Sequence, residues 1–423
     1  MAAALTQEGF DITPSADRAE LILINTCAFI RSAKEEAIET ILQMTRLKRG
    51  GSCQFLVVTG CLPQRYGADL AKALPEVDLF AGTGEVSRIA SHVRTLYSGR
   101  QDICRTIISS PDFLMNAGNR RLLSTQPHTA YLKIAEGCSN RCSYCVVPSV
   151  RGPARSRATV DILREADMLA ASGAKELILV AQDTTAYGTD ILDSPGLPGL
   201  LEELSRISSL KWIRLLYTNP AGLTSRLFEV LAGNEKFCPY IDMPIQHIDD
   251  TVLQIMNRRS DSRCIRKVIA SAREIIPVVA LRTSLIVGFP GESKKRFEKL
   301  RLFVEEARFD HLGVFTYSRE EGTHAAALRS RTSEKEKQRR RDILMELQSG
   351  ISLNINQSLV GSIQEVLVEA ATGDTQYPYT GRCRRQAPEI DGITYIQGKK
   401  LTPGDFVACR ITHADPYDLF ASV

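Results

Sequence analysis

The stretch CSNRCSYC places three thiols, Cys138, Cys142 and Cys145, within eight residues. It lies between two apolar runs, YLKIAEG at 131–137 and VVPSVRG at 146–152. A structural zinc site takes four ligands, commonly as two Cys-x-x-Cys pairs, and the sequence contains no second pair. The spacing C-x3-C-x2-C therefore favours a 4Fe–4S cubane, in which three thiolates leave one iron open to a substrate. Zinc or incidental cysteines are the alternatives.

Six strand-like segments alternate with helical patterns across residues 124–330. The cysteine loop follows the first strand, and helical segments such as 159–173 and 293–308 separate later ones. This repetition predicts a partial parallel (β/α)6 TIM barrel, in which chemistry collects where strands end and loops begin. The strands are expected at 131–137, 175–182, 212–218, 240–246, 281–289 and 311–318.

Residues 1–105 predict a smaller, Rossmann-like α/β domain. LILIN at 21–25 and FLVVTG at 55–60 are buried-type strands, and residues 31–49 between them have apolar side chains at helical spacing. Cys27 and Cys61 stand at equivalent positions just past the two strands, where a parallel sheet forms one crevice. Two core cysteines at matching positions by coincidence are the alternative.

The last part of the chain changes character. Residues 331–355 predict a charged helix, which we interpret as a solvated connector rather than a nucleic-acid patch. Residues 356–423 contain short strand patterns with turns between them and predict a small β-barrel. This barrel carries six Lys and Arg against eight Asp and Glu, a net charge of −2, whereas the whole chain is +4.

Composition and hydropathy favour a cytoplasmic protein without a membrane segment. The chain is 43% hydrophobic and 24% charged, and no apolar run approaches the roughly 20 residues that cross a bilayer. The N-terminus MAAALTQEGFDIT lacks the charged start and apolar centre of a signal peptide. Because the cytosol keeps thiols reduced, the eleven cysteines point to metal or redox chemistry rather than disulfides.

The cysteine loop, with Tyr144 before its last cysteine, resembles the loop of the radical S-adenosylmethionine enzymes. NTCAFIRSAKEEAIETI, GCLPQRY, ELILVAQDTTAYG, SLIVGFPGE and GVFTYSREEGT extend the resemblance to the methylthiotransferases within that group. The resemblance implies a terminal TRAM barrel and a 4Fe–4S cluster on Cys138, Cys142 and Cys145, whose open iron chelates S-adenosylmethionine. Cofactor contacts are expected from Tyr144, Gln182, Asp183, Gln246, Arg282, Ser284 and Gly288.

The resemblance also implies an auxiliary 4Fe–4S cluster on three cysteines of the first domain. Cys27 and Cys61 match two of them, while the family's first strand, with its cysteine, has no counterpart. The sequence begins inside what would be the following helix. Either the start site lies upstream of Met1, which we favour, or the auxiliary cluster is incomplete.

The terminal segments indicate the substrate. An RNA-binding barrel should be basic because phosphate neutralisation dominates affinity, so a net charge of −2 favours a basic protein partner. TGRCRRQAPEIDGITYI and ITHADPYDLFASV resemble the branch that modifies the β-carbon of an aspartate in ribosomal protein S-12. The expected partners are that protein in the small ribosomal subunit and an electron donor such as flavodoxin. A tRNA adenosine methylthiotransferase and a degenerate iron–sulfur binding paralogue are the alternatives.

Overall fold

A computed structural model describes residues 1–98 and 104–423, which form two compact units. Unit 1 contains Met1–Leu122, Glu136–Arg155 and Ser318–Ala327. Unit 2 contains Leu123–Ala135, Ser156–Tyr317 and Leu328–Val423. The cysteine loop therefore belongs to the same unit as the N-terminal domain, although the sequence places it after the first strand of the barrel.

Unit 1 is built on a parallel sheet with strand order β1-β2-β3-β4. Side chains alternate along β2, so Leu56 and Val58 pack with Ile41 on one face while Val57 packs with Val93 on the other. Helices cover both faces, which confirms the predicted Rossmann-like α/β domain. The elements are α1 (Ala2–Gln7), β1 (Leu21–Thr26), α2 (Arg31–Gly50), β2 (Phe55–Gly60), α3 (Cys61–Ala73), β3 (Leu79–Ala81), α4 (Ile89–Tyr97) and β4 (Thr106–Ile107).

The core of unit 2 is the predicted partial barrel of six parallel strands. Its strands form two sheets, ordered β5-β8-β9 and β10-β11-β12, and the Thr218 N–H donates to Asp242 O (3.0 Å) between them. The strands are β5 (Thr129–Lys133), β8 (Glu176–Val180), β9 (Trp212–Leu215), β10 (Tyr240–Asp242), β11 (Ala280–Val287) and β12 (His311–Thr316), and the short β6 (Ala135–Glu136) and β7 (Arg155–Ser156) flank the cysteine loop in sequence. The helices are α5 (Val147–Arg151), α6 (Thr159–Ala171), α7 (Gly196–Leu204), α8 (Ser225–Ala232), α9 (Asp250–Ile255), α10 (Ser262–Ile275) and α11 (Lys294–Ala307).

The charged helix is α12 (Glu334–Gln357), and one of its faces is buried. Arg340 is ion-paired with Glu292 (3.0 Å), and Gln348 Nε2 donates to Phe309 O (2.6 Å). The interpretation as a solvated connector is therefore wrong for this face, because its charged groups find partners on the core. Within residues 1–98 and 104–423, every helix is too short or too polar to span a bilayer.

The chain ends in a closed five-stranded barrel with strand order β13-β14-β15-β17-β16. This confirms the small terminal β-barrel predicted from turn and strand patterns. One of its strands, β14, ends within the basic segment GRCRRQ (381–386), which the sequence had not indicated as part of a strand. The strands are β13 (Ile363–Ala371), β14 (Tyr379–Cys383), β15 (Thr394–Gln397), β16 (Phe406–Ala414) and β17 (Leu419–Ser422).

A buried ion network joins the terminal barrel to the core of unit 2. Glu176, the first residue of β8, pairs with Arg382 (2.6 Å) of the barrel and with Arg214 (2.9 Å) of β9. All three side chains are at most 1% exposed. Burial would raise the pKa of Glu176, but the two guanidinium groups outweigh it and lower the pKa to about 2. The carboxylate therefore stays ionised and compensates two buried cations.

We predict that Glu176→Gln destabilises the chain by about 3–5 kcal/mol, because Arg214 and Arg382 would keep buried charge without an anion. Urea unfolding followed by the fluorescence of Trp212, the single tryptophan, measures the effect in unit 2. The control is Glu203→Gln in the exposed pair with Arg206 (2.8 Å), which should change stability by less than about 0.5 kcal/mol. Equal changes in both variants would contradict the assigned role of Glu176.

Candidate active site

The three clustered cysteines lie in a loop whose two ends are fastened together. The Cys138 N–H donates to Gly152 O (3.0 Å), which closes a loop of thirteen intervening residues. Gly137 has φ of +78°, and a Cβ there would lie 2.1 Å from Pro153 O, so only glycine allows this approach. The middle of the loop is fixed by the Ala325 N–H, which donates to Ser143 O (2.8 Å).

The sulfur atoms of the loop already accept hydrogen bonds. The Val147 N–H donates to Cys145 Sγ (3.4 Å), and Asn140 Nδ2 donates to Cys138 Sγ (3.5 Å). Such donors stabilise negative charge on sulfur and influence the potential of a thiolate-bound cluster. Cys138 is buried, and Cys142 and Cys145 are half-buried.

This donor set fits a cubane. Soft thiolates are the ligands that iron–sulfur clusters take, and each iron of a cubane binds one of them. Among the described residues, no three His, Cys, Asp or Glu side chains lie close enough together to bind a single metal ion. A cubane does not need such a group, because each of its irons binds only one protein thiolate. The loop thus offers three thiols to three different irons.

Cys27 and Cys61 extend from paired positions of neighbouring strands. In the parallel register, Thr26 of β1 is opposite Gly60 of β2. Cys27 directly follows Thr26 and Cys61 directly follows Gly60, so the two cysteines lie at the same edge of the sheet. Gly60 has φ of +102°, and a Cβ there would lie 2.5 Å from Thr26 O. Cys27 is exposed and Cys61 half-buried. The geometry agrees with the equivalent positions expected from the sequence.

Arg151 links the two predicted cysteine sets inside unit 1. Its Nη2 donates to Cys61 Sγ (3.6 Å), and its Nη1 lies 3.6 Å from Glu136 Oε1, at the start of the cysteine loop. No role for Arg151 was predicted from the sequence. The only sequence feature that singles out Arg151 is its position in VVPSVRG, directly after the cysteine loop. That position does not reveal that its partner is Cys61, ninety residues earlier.

A second polar cluster fastens residues 318–327 to the N-terminal domain. Glu320, whose side chain is 1% exposed, pairs with Lys34 (2.7 Å) and Arg65 (3.1 Å) and accepts from Ser318 Oγ (2.7 Å). Burial would raise the pKa of Glu320, but these partners outweigh it and lower the pKa. The same segment, residues 318–327, also contacts the cysteine loop, because the Ala325 N–H donates to Ser143 O. By fixing this segment, the ion pairs of Glu320 also support the cysteine loop.

In unit 2, several predicted contacts lie where core strands end. Gln182 and Asp183 follow β8, and Asp183 accepts from Thr185 Oγ1 (2.5 Å) and Asn219 Nδ2 (3.3 Å). Gln246 has φ of +69°, and its N–H donates to Ser284 O (2.9 Å). The structure therefore brings Gln246 and Ser284 together across adjacent strands. Tyr144 lies in unit 1, within the cysteine loop.

The Arg282 guanidinium forms ion pairs with two carboxylates. Its guanidinium lies 3.1 Å from Asp242 Oδ1 and 3.3 Å from Asp391 Oδ1, which belongs to the β14–β15 loop of the terminal barrel. Asp391 also accepts from Tyr240 Oη (2.6 Å). Burial raises the pKa of Asp242 even though Arg282 opposes that effect. Arg282 thus anchors the terminal barrel to the core, and its contact with a cofactor stays a prediction.

Position 288 requires glycine for two reasons, its backbone conformation in the turn and its close packing against α12. Its φ is +73°, and a Cβ there would lie 2.2 Å from Lys337 Cγ of α12. The Glu292 carboxylate accepts from the Gly288 N–H and pairs with Arg340 (3.0 Å). The GFPGE segment is therefore a turn fixed by its own glutamate, and the contact of Gly288 with the cofactor stays a prediction.

Family models match three parts of the chain. The radical SAM superfamily matches residues 132–304, the uncharacterized protein family UPF0004 matches residues 1–82, and the TRAM domain matches residues 360–423. These matches agree with the partial barrel, the α/β domain and the closed terminal barrel. They confirm the predicted fold class and the radical S-adenosylmethionine resemblance.

Solved structures show the same fold at low sequence identity. The radical S-adenosylmethionine methyltransferase TsrM from Kitasatospora setae, with cobalamin and a [4Fe-4S] cluster bound, matches with a TM-score of 0.54 at 16% identity. The match covers 82% of this chain and 69% of that one. The cobalamin-dependent enzyme OxsB matches with a TM-score of 0.50 at 10% identity, over 77% of this chain and 47% of that one.

Curated relatives match over the full length of the chain. The ribosomal protein uS12 methylthiotransferase RimO of Syntrophus aciditrophicus is 56% identical, over 100% of this chain and 94% of that protein. RimO of Geobacter sulfurreducens is 48% identical with the same coverage. Since these matches cover the whole chain at 48–56% identity, the chain belongs to the RimO family of radical S-adenosylmethionine methylthiotransferases.

Proposed function

We propose that this chain adds a methylthio group to the β-carbon of an aspartate in ribosomal protein uS12. The observation that carries the proposal is identity with uS12 methylthiotransferases along the whole chain, terminal barrel included. The small ribosomal subunit would present the substrate, and a donor such as flavodoxin would supply electrons.

Cys138, Cys142 and Cys145 would hold the radical 4Fe–4S cluster. The closed loop and the hydrogen bonds to Cys138 and Cys145 keep the sulfurs in place. When bound, the cluster and S-adenosylmethionine supply one-electron chemistry that removes a hydrogen atom from carbon. The part of this chain is to place three thiolates and to leave the fourth ligand position open.

Cys27 and Cys61 would hold the auxiliary 4Fe–4S cluster, where the transferred sulfur resides. Their paired positions at one sheet edge, and their location in the same compact unit as the cysteine loop, support this assignment. The family's first strand, which carries the third ligand that the resemblance implies, has no counterpart in residues 1–423. S-adenosylmethionine contacts are proposed for Tyr144, Gln182, Asp183, Gln246, Arg282, Ser284 and Gly288.

The terminal barrel supports a protein substrate over tRNA. Its one basic segment, GRCRRQ, faces the core: Arg382 pairs with Glu176 (2.6 Å) and Arg385 with Asp310. Arg384 pairs with Glu365 (3.3 Å). Because these guanidinium groups are engaged, they are not available to neutralise phosphates. A barrel with net charge −2 would instead attract a basic ribosomal protein.

We predict that Cys142→Ala abolishes 5′-deoxyadenosine formation, since two thiolates would remain for the radical cluster. The assay is anaerobic reconstitution with iron and sulfide, reduction, and quantification of 5′-deoxyadenosine by mass spectrometry. The control is Cys264→Ala, which removes a half-buried thiol of α10 and should leave the yield unchanged. Retained activity in Cys142→Ala would overturn the ligand assignment. Zinc without sulfide in the unsubstituted chain would favour the degenerate binding paralogue.

We predict that the reconstituted enzyme methylthiolates uS12 in small ribosomal subunits and leaves tRNA unmodified. The two substrates are incubated separately and anaerobically with enzyme, a chemical reductant, sulfide and S-adenosylmethionine, and then digested for mass spectrometry of uS12 peptides and of tRNA nucleosides. Cys142→Ala enzyme is the matched control for background modification. A 2-methylthio-adenosine product in tRNA, with uS12 unchanged, would contradict the proposed substrate.

A further inference from the structure

We propose that a basic surface of unit 2 binds the RNA backbone of the small ribosomal subunit. The inference rests on the proposed function, in which that subunit presents uS12. It adds a docking contact with the particle to the contact with the modified protein. This basic surface consists of five exposed cations at the start of α11 and just before and within the start of α12: Lys294, Lys295, Arg329, Arg331 and Lys335.

Two short segments of unit 2 carry a concentrated positive charge. Residues 292–299 and 329–341 together contain eleven Lys and Arg against four Asp and Glu, a net charge of +7. The whole chain is only +4, so the rest of the chain has a net negative charge. The cations are therefore gathered in these two segments rather than spread evenly over the protein.

The two segments pack together. Arg340 of α12 pairs with Glu292 (3.0 Å), which lies just before the start of α11. Lys294 and Lys295 follow this contact closely along the chain, and both are exposed. Lys335 lies in the first turn of α12 and is exposed as well. The beginnings of the two helices thus present their cations on neighbouring parts of the surface.

The acids of this region already have cationic partners. These ion pairs are Glu334 with Lys337 (2.7 Å), Glu336 with Arg339 (2.8 Å) and Glu298 with Arg301 (2.8 Å). Within residues 1–98 and 104–423, the five cations of the basic surface form no ion pair and no side-chain hydrogen bond. Their charge is therefore available to a partner.

Lys294 and Lys295 stand where a helix disfavours cations. They are the first two residues of α11, whose first turn contains no acidic residue. The N-terminus of a helix carries partial positive charge, so two lysines there are repelled. A bound anion would remove that repulsion, because the lysines and the helix end would both attract it. Anion binding explains these two residues, whereas helix stability does not.

The chemistry of the basic surface matches a phosphate backbone. Exposed Lys and Arg neutralise phosphates, and this contact supplies most of the sequence-independent affinity for RNA. The terminal barrel, with its net charge of −2, would be repelled by RNA. A subunit rich in RNA therefore needs a different surface of the enzyme. An acidic electron donor is the competing partner of the basic surface, and the experiment separates the two.

The test uses the full chain with Lys294→Gln, Lys295→Gln and Lys335→Gln combined. Binding to purified small ribosomal subunits is measured by co-sedimentation over a range of potassium chloride concentrations. We expect binding weaker by about 10-fold or more, and a slope of log affinity against log salt reduced by about 2, because three phosphate contacts are lost. Since the three side chains are exposed, circular dichroism and the yield of 5′-deoxyadenosine should be unchanged.

The control combines Arg18→Gln, Arg46→Gln and Lys72→Gln. It removes the same charge from exposed positions of unit 1 that form no ion pair within the described part of the chain. This control should bind subunits as the unsubstituted chain does. Equal affinities of the two triple variants would overturn the inference, because the position of the charge would then not matter.

Three further arms compare other partners. An equal loss of affinity for isolated uS12 would overturn the assignment to RNA. So would tRNA that binds as tightly as the subunit and is lost with the same variant. Slower reduction by flavodoxin with unchanged subunit binding would assign the basic surface to the electron donor instead.

Failure of the proposed function gives a different result. An unsubstituted chain that binds subunits through these lysines but leaves uS12 unmodified would contradict the proposed function and support the RNA contact. A chain that modifies uS12 while the two triple variants bind subunits equally would support the proposed function and overturn the RNA contact.

Discussion

Three thiols can share one cluster only while the loop that carries them keeps its shape. Here the Cys138 amide closes the loop on Gly152, and the glycine at position 137 permits that close approach. Ser143 O accepts a hydrogen bond from the Ala325 N–H, in residues 318–327. That segment is itself fixed by the buried ion pair of Glu320 with Lys34. The site therefore depends on segments far apart in sequence that fold into one compact unit. That unit also contains Cys27 and Cys61.

Unit 2 is ordered by buried charge rather than by apolar packing alone. Taking Glu176, Arg214 and Arg382 out of water is costly, and their mutual attraction only offsets that cost when each has its partner. Loss of any one member would leave an uncompensated buried charge, so the network ties the terminal barrel to the core only while all three are present. It also engages Arg382, one of the three arginines of GRCRRQ.

Much of the fold was predictable because its strands are buried, apolar and regularly spaced. LILIN and FLVVTG became β1 and β2, and the matching positions of Cys27 and Cys61 followed from the parallel register. In contrast, β3 and β4 contain three and two residues, too few for a periodic signal. Arg151 and Glu320 were missed because their partners lie 90 and 286 residues away. The buried face of α12 was missed for the same reason: its partners are distant in sequence.

We propose a cubane held by the thiolates of Cys138, Cys142 and Cys145, with one iron open to S-adenosylmethionine. The direct measurement is electron paramagnetic resonance of the reduced, anaerobically reconstituted chain before and after addition of S-adenosylmethionine. We expect a cubane signal whose g-values shift when the cofactor binds, because the cofactor would become the fourth ligand. A chain without a cubane signal, or with a spectrum that S-adenosylmethionine leaves unchanged, would contradict it.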